Sequence, residues 1–139
     1  MKLMSDKDIQ EHEEKIRAAL VEVLEVKDDF VLRILKLLKE KYLQCWLVLD
    51  KDSICTGYSI TGEVDDLFTG EKLFTIYLFK TLETFSTSDL RSFFVSLCIE
   101  ARQRNCKALS FYSSFQNENK YNVVKTLGGT AKTYFYVEV

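Results

Sequence analysis

KLFTIYLFKTLETFSTSDLRSFFVSLCIEARQRNCKAL, from Lys72 to Leu109, is the stretch that decides the fold. Leu73-Phe74-Thr75-Ile76-Tyr77-Leu78-Phe79 is dense in aromatic and β-branched residues, as a half-buried strand should be. Thr84 to Asp89 is a polar break offering several side chains able to cap a helix. Leu90, Phe93, Phe94, Leu97, Cys98 and Ala101 then recur at helical spacing, and Asn105 falls where that helix would end. Ala108 and Leu109 open a second strand. Strand, loop, helix and strand in this order set a loop and a helix N-terminus side by side, where α/β proteins hold anions.

Upstream, Ser5 with Asp6 and Asp8 reads as a helix start. Ile9, Ile16, Ala19, Leu20 and Val23 form one apolar stripe, with His12 at its edge as a solvated or capping group. Asp28 and Asp29 cap a second helix carrying Phe30, Val31, Ile34, Leu35 and Leu38, and Lys36, Lys39 and Lys41 suit its C-terminal dipole. After Tyr42 the period changes. Cys45 to Leu49 reads as a strand, Asp50 to Ser53 as a turn, and Ile54 to Thr61 as the return strand of a hairpin. Gly57 within it marks a bulge or a close backbone approach. Gly62 to Gly70 is a looser connection holding Asp65 and Asp66.

Downstream, Ala108 to Phe115 alternates as a strand. Asn117 caps a short helix bearing Tyr121, Val124 and Leu127, which Gly128-Gly129 ends, and Thr133 to Val139 alternates as a last strand. The order α-α-β-β-β-α-β-α-β predicts an α/β (α+β) fold. It is read as one domain over residues 1–139, with a helical part at 1–42 and a core at 43–139. The core is a mixed, mostly antiparallel sheet flanked by helices.

The bulk numbers agree with one packed core: 139 residues, of which 47% are hydrophobic and 13% aromatic. A net charge of −2 argues against non-specific nucleic-acid binding, and Arg102, Arg104 and Lys107 read as the exposed end of the central helix. The cysteines Cys45, Cys55, Cys98 and Cys106 have no Cys-x-x-Cys spacing, so no metal site is expected and buried thiols are. Charges begin at Lys2 with no signal-peptide pattern, and no apolar run reaches membrane-spanning length, so the expected location is cytoplasmic.

Cys45 to Val139 resembles the GNAT family of N-acetyltransferases. The hairpin ending in Gly57-Tyr58 looks like the family's second and third strands. Ala101 to Leu109 looks like the end of its central helix and the start of its fifth strand. Asn117 followed by Gly128 matches the family's spacing around its fourth helix. The resemblance implies a loop of pattern Arg/Gln-x-x-Gly-x-Gly/Ala after the fourth strand, binding the pyrophosphate of acetyl-coenzyme A. It also implies a cleft between the fourth and fifth strands for the pantetheine arm, and a tyrosine on the fourth helix as general acid.

Here the sequence departs from the pattern. The loop motif falls on Phe85-Ser86-Thr87-Ser88-Asp89-Leu90, and no glycine lies between Glu71 and Lys125. Asp89 adds a negative charge where a diphosphate would sit, and the general-acid position is Val124, which has no proton to give. The expectation is a GNAT-like pseudoenzyme acting as a protein-binding or structural module, with no cofactor. Its partner would be a protein, self or heterologous, and small phage-encoded chains, some of them virion components, offer one such setting. The alternative is a divergent N-acetyltransferase using acetyl-CoA on an amine. Ser86, Thr87, Ser88 and Asn117 would then bind the cofactor, Asp65 or Asp66 (or Glu63) would be the base, and Tyr121 the acid.

Overall fold

The computed structural model describes residues 1–24, 28–81, 86–111, 125–126 and 128–129. In chain order the elements are β1 (Lys2–Leu3), α1 (Asp6–Glu11), α2 (Glu13–Leu24), α3 (Asp28–Lys39), β2 (Leu43–Leu49), β3 (Cys55–Asp65), β4 (Lys72–Thr81), α4 (Thr87–Gln103) and β5 (Ala108–Phe111). The strands form one mixed sheet in the order β1-β2-β3-β4-β5. Pairing is antiparallel except between β4 and β5, which the α4 crossover makes parallel.

Both faces of the sheet are covered, which is why Cys45-Trp46-Leu47-Val48 is an unbroken apolar run. The period-2 pleat sends Cys45 and Leu47 to one face, where they join Tyr58, Ile60 and Leu78 under Ile9, Ile16, Leu20, Val31, Leu35 and Leu38 of the N-terminal helices. Trp46 and Val48 go to the other, meeting Phe74, Ile76 and the buried stripe Leu90, Phe93, Phe94, Leu97 and Ala101 of α4. Of the helical stripe read from the sequence, Cys98 alone is only half-buried. Two buried polar side chains of the sheet are paired across strands: Trp46 Nε1 donates to Thr61 Oγ1 at 2.8 Å, and Ser59 Oγ donates to the Leu78 carbonyl at 3.0 Å, whereas Gln44 Oε1 of β2 is buried with no partner among the described residues.

Three features differ from the sequence reading. The N-terminal part is not all helical: Lys2 and Leu3 pair with Leu47 and Trp46, and the Met4 N–H donates to the Cys45 carbonyl at 2.9 Å. The first helix is two, joined at His12, whose ψ of 6° interrupts the helical run. β3 continues through Gly62 to Asp65, because Gly62 to Asp65 keep pairing with Thr75 to Lys72. Gly57 bears out the reading made of it: Thr56 is an extra residue beside it in the pairing with β2, and a Cβ at Gly57 would lie 2.4 Å from the Lys80 carbonyl oxygen. The irregularities fall between Val48 and Leu49 and between Ile60 and Thr61, where Tyr77 is the extra residue on β4.

Candidate functional site

α4 begins at Thr87 with Ser86 as N-cap, inside the polar break read from the sequence. Its first turn closes on itself. Ser86 Oγ accepts from the Asp89 N–H at 3.1 Å, while Asp89 Oδ2 accepts from the Ser86 N–H at 3.0 Å and the Ser86 hydroxyl at 2.7 Å. This capping box satisfies two of the donors that a helix N-terminus leaves open. The N–H groups of Thr87 and Ser88 are the ones it leaves. Hydrogen bonds from the Ser86 side chain and backbone hold the Asp89 carboxyl below the usual carboxylate range, so it is an anion at neutral pH. Ser86, Thr87 and Ser88 are all solvent-exposed.

Beside this turn lie the ends of β4 and β5. The strands pair from Leu73 opposite Ala108 to Ile76 opposite Phe111. Beyond that, Phe79 of β4 stacks on Phe93 with centroids 4.3 Å apart, Phe93 meets Phe94 edge-on at 5.7 Å, and Phe94 packs on Phe111 of β5 at 5.4 Å. Four phenylalanine rings therefore bridge β4, α4 and β5 on the helix side of the sheet.

Asp65 and Asp66 are nowhere near that turn. Asp65 pairs with Lys72 at the start of β4, and the 10 residues of β4 separate them from α4's N-terminus by about 30 Å. Asp66 organises the β3–β4 turn, its Oδ1 accepting from the Phe68 and Thr69 N–H groups at 2.8 and 3.3 Å. The candidate bases and the candidate cofactor-binding serines therefore lie at opposite ends of β4. Glu63 is at the same far end, committed to Lys72 at 3.2 Å and to Arg104 at 3.2 Å. Partial burial pushes the Glu63 carboxyl up, but hydrogen bonds and charge from Arg104 and Lys72 outweigh it, and the net shift is downward.

Of the basic group at the end of α4, Arg102 is exposed, whereas Arg104 and Lys107 are held by acidic partners. Arg104 donates from Nε to Glu100 at 2.7 Å and its guanidinium lies 5.8 Å from the Trp46 ring and 5.6 Å from the Phe74 ring. Lys107 is bound to Glu71.

A cluster missed by the sequence reading sits under the helix break on the opposite face. His12 Nδ1 lies 3.0 Å from the hydroxyl of Tyr58, a residue buried in mid-β3. Burial and the neighbouring Cys55 thiol push the Tyr58 phenol up to about 12, and burial does the same to the Cys45 thiol. Tyr58 is therefore a neutral hydrogen-bonding group at physiological pH. The available signal was the single histidine on the edge of a buried stripe.

Asn117, Tyr121 and Val124 lie outside the described residues, as do Phe85 and the last strand. Lys125 and Thr126 are helical, and Gly128 follows at φ +83° with its N–H donated to the Lys125 carbonyl at 3.0 Å, a glycine-terminated helix end. Among the described residues no cluster of three His, Cys, Asp or Glu could hold a metal, and no helix is long and apolar enough to cross a membrane.

No family profile and no curated protein sequence matches the chain. Solved structures do. The aminoglycoside N-acetyltransferase AAC(6')-Iy in complex with a CoA bisubstrate analogue superposes with a TM-score of 0.73 at 16% identity, over 99% of this chain and 96% of that one. A ribosomal-protein-alanine N-acetyltransferase from Brucella melitensis biovar Abortus 2308 gives 0.67 at 14% identity over 99% and 96%. A Trypanosoma brucei acetyltransferase gives 0.66 at 13% over 99% and 97%. The fold is GNAT-like. In a GNAT-like frame, the fourth strand and the helix after it are β4 and α4, so the expected pyrophosphate site is the capped turn at Ser86 to Asp89. Its donors are half spent and it carries a fixed anion, which is a poor fit for acetyl-CoA.

Proposed function

We propose that this GNAT-like domain does not use acetyl-CoA and serves as a protein-binding or structural module. The capping box at the start of α4 carries this reading. A diphosphate needs converging N–H donors and a positive helix end. Here Ser86 and Asp89 take up their own N–H groups, and the Asp89 carboxylate stands where the phosphate charge would come. The phenylalanine bridge supports the same reading, because the rings that join β4 to β5 pack on one another.

Isothermal titration calorimetry with acetyl-CoA tests it. The expected result is no heat and no thermal shift at millimolar ligand. Micromolar binding that Ser88→Asp weakens would overturn the proposal.

A second reading, a divergent N-acetyltransferase, is favoured by one observation: the likeness to acetyltransferases extends over 99% of the chain, including a CoA-analogue complex. Under it, the uncommitted Thr87 and Ser88 N–H groups would hold the cofactor. Release of free coenzyme A thiol in the presence of an amine acceptor distinguishes this reading from the first.

A further inference from the structure

The most exposed apolar side chains among the described residues are neighbours at one turn. Leu67 and Phe68, between β3 and β4, are 97% and 98% exposed, so they touch almost nothing of their own chain. The turn holds them in place. Besides the two bonds to Asp66 Oδ1, the Asp66 N–H donates to the Glu71 carbonyl at 2.8 Å and the Gly70 N–H to the Asp66 carbonyl at 2.7 Å. Gly70 takes φ +69°, a conformation open to glycine at no steric cost. A fixed apolar tip loses little freedom on binding. It is edged by Asp65 and Asp66.

α4 carries the matching surface. Its buried residues Leu90, Phe93, Phe94, Leu97 and Ala101 face the sheet. On the opposite side, Arg91, Val95, Ile99 and Arg102 are all exposed and fall within about 80° of one another at 100° per residue. This stripe is an apolar pair with an arginine at each end. Neither Arg91 nor Arg102 has an ion-pair partner among the described residues, and neither does Asp65. Tip and stripe are complementary in both respects, apolar centre to apolar centre and carboxylate to guanidinium. An anionic lipid surface would instead be repelled by Asp65 and Asp66.

We propose that the β3–β4 turn of one copy seats Leu67 and Phe68 on Val95 and Ile99 of α4 in a second copy of this chain, with Asp65 facing Arg91 or Arg102. A two-fold arrangement makes the contact twice. The inference identifies a partner for the module proposed above, but it uses no property of the α4 N-terminus. Calorimetry with acetyl-CoA and the experiment below can therefore fail separately.

Sedimentation velocity of the full chain, from about 10 µM to about 1 mM at low salt, should show a concentration-dependent dimer. Leu67→Ser with Phe68→Ser should raise the dissociation constant at least about tenfold, and Val95→Ser with Ile99→Ser should do the same. Both changes are at exposed sites, and an unchanged melting temperature verifies that the monomer is intact. Arg91→Glu with Arg102→Glu should weaken association, and adding Asp65→Lys should restore part of it. A monomer at every concentration overturns the proposal. So does a dimer insensitive to the tip substitutions, and so does one that loses association with the tip but not with the α4 substitutions.

Discussion

The two ends of α4 use charge in opposite ways. At the N-terminus, Ser86 and Asp89 bond to each other within one turn, and every partner lies within three residues. At the C-terminus, Arg104 reaches Glu63, which is 41 residues away in sequence, as well as Glu100, and covers the rings of Trp46 and Phe74. The first arrangement finishes a helix and contributes nothing between elements. The second ties α4, β2, β3 and β4 together. Of the two clusters, only the one whose members are far apart in sequence joins separate elements of the fold.

This contrast can be broken most severely beneath Arg104. Phe74→Ala should cost about 3–5 kcal/mol in urea unfolding, because Phe74 is fully buried between the sheet and α4 and its loss leaves a cavity. Arg104→Ala should come next at about 2 kcal/mol, since it leaves the half-buried Glu100 carboxylate without its donor and uncovers the Trp46 and Phe74 rings, while Glu63 keeps Lys72. Arg104→Lys should recover little of that, because an ammonium cannot span both carboxylates and stack on the rings. If Lys restored full stability, the planar fork would not matter and the difference between the two ends would narrow.

Ser86→Ala should cost only about 1 kcal/mol, the usual effect of a lost cap, with fraying confined to the first turn of α4 in hydrogen exchange. The smallest effect concerns pH. Asp8, Glu63 and Asp89 all have carboxyls lowered in the folded chain, so their contribution is present above the ordinary carboxylate range and lost as pH falls through their folded values. The urea midpoint should therefore be flat from pH 7 to about 5 and fall below about 4. Glu63→Gln should flatten that acid limb more than Asp89→Asn, if the long-range cluster is the one that matters to the whole fold.

Much of this architecture was legible in the sequence because it rests on short-range patterns. The α4 stripe, the cap in Ser86 to Asp89 and the left-handed Asn105 after the helix follow from side chains within a few residues of each other. β1 was not legible, since a two-residue strand has no period and exists only because Leu47 and Trp46 present an open edge. The helix break at His12 has no glycine or proline to announce it. The distance from Asp65 and Asp66 to the loop at Ser86 was not legible for a topological reason: it exists only once antiparallel β3 and β4 place the turn between them at the end of the sheet remote from the next loop. Arg104 read as a solvated helix end because Glu63, Trp46 and Phe74 become its neighbours only when the sheet forms.

Arg104's seat over Trp46 also makes the protein its own spectroscopic probe. Trp46 is the sole tryptophan, shielded from water, with its indole N–H held by Thr61 and a guanidinium over its ring. Its emission should be blue-shifted in the native chain and should move to the red only when the C-terminal end of α4 lifts from the sheet. Tyrosine or amide signals elsewhere report the rest of the molecule. A disagreement in time between the two would show the helix leaving before the strands come apart.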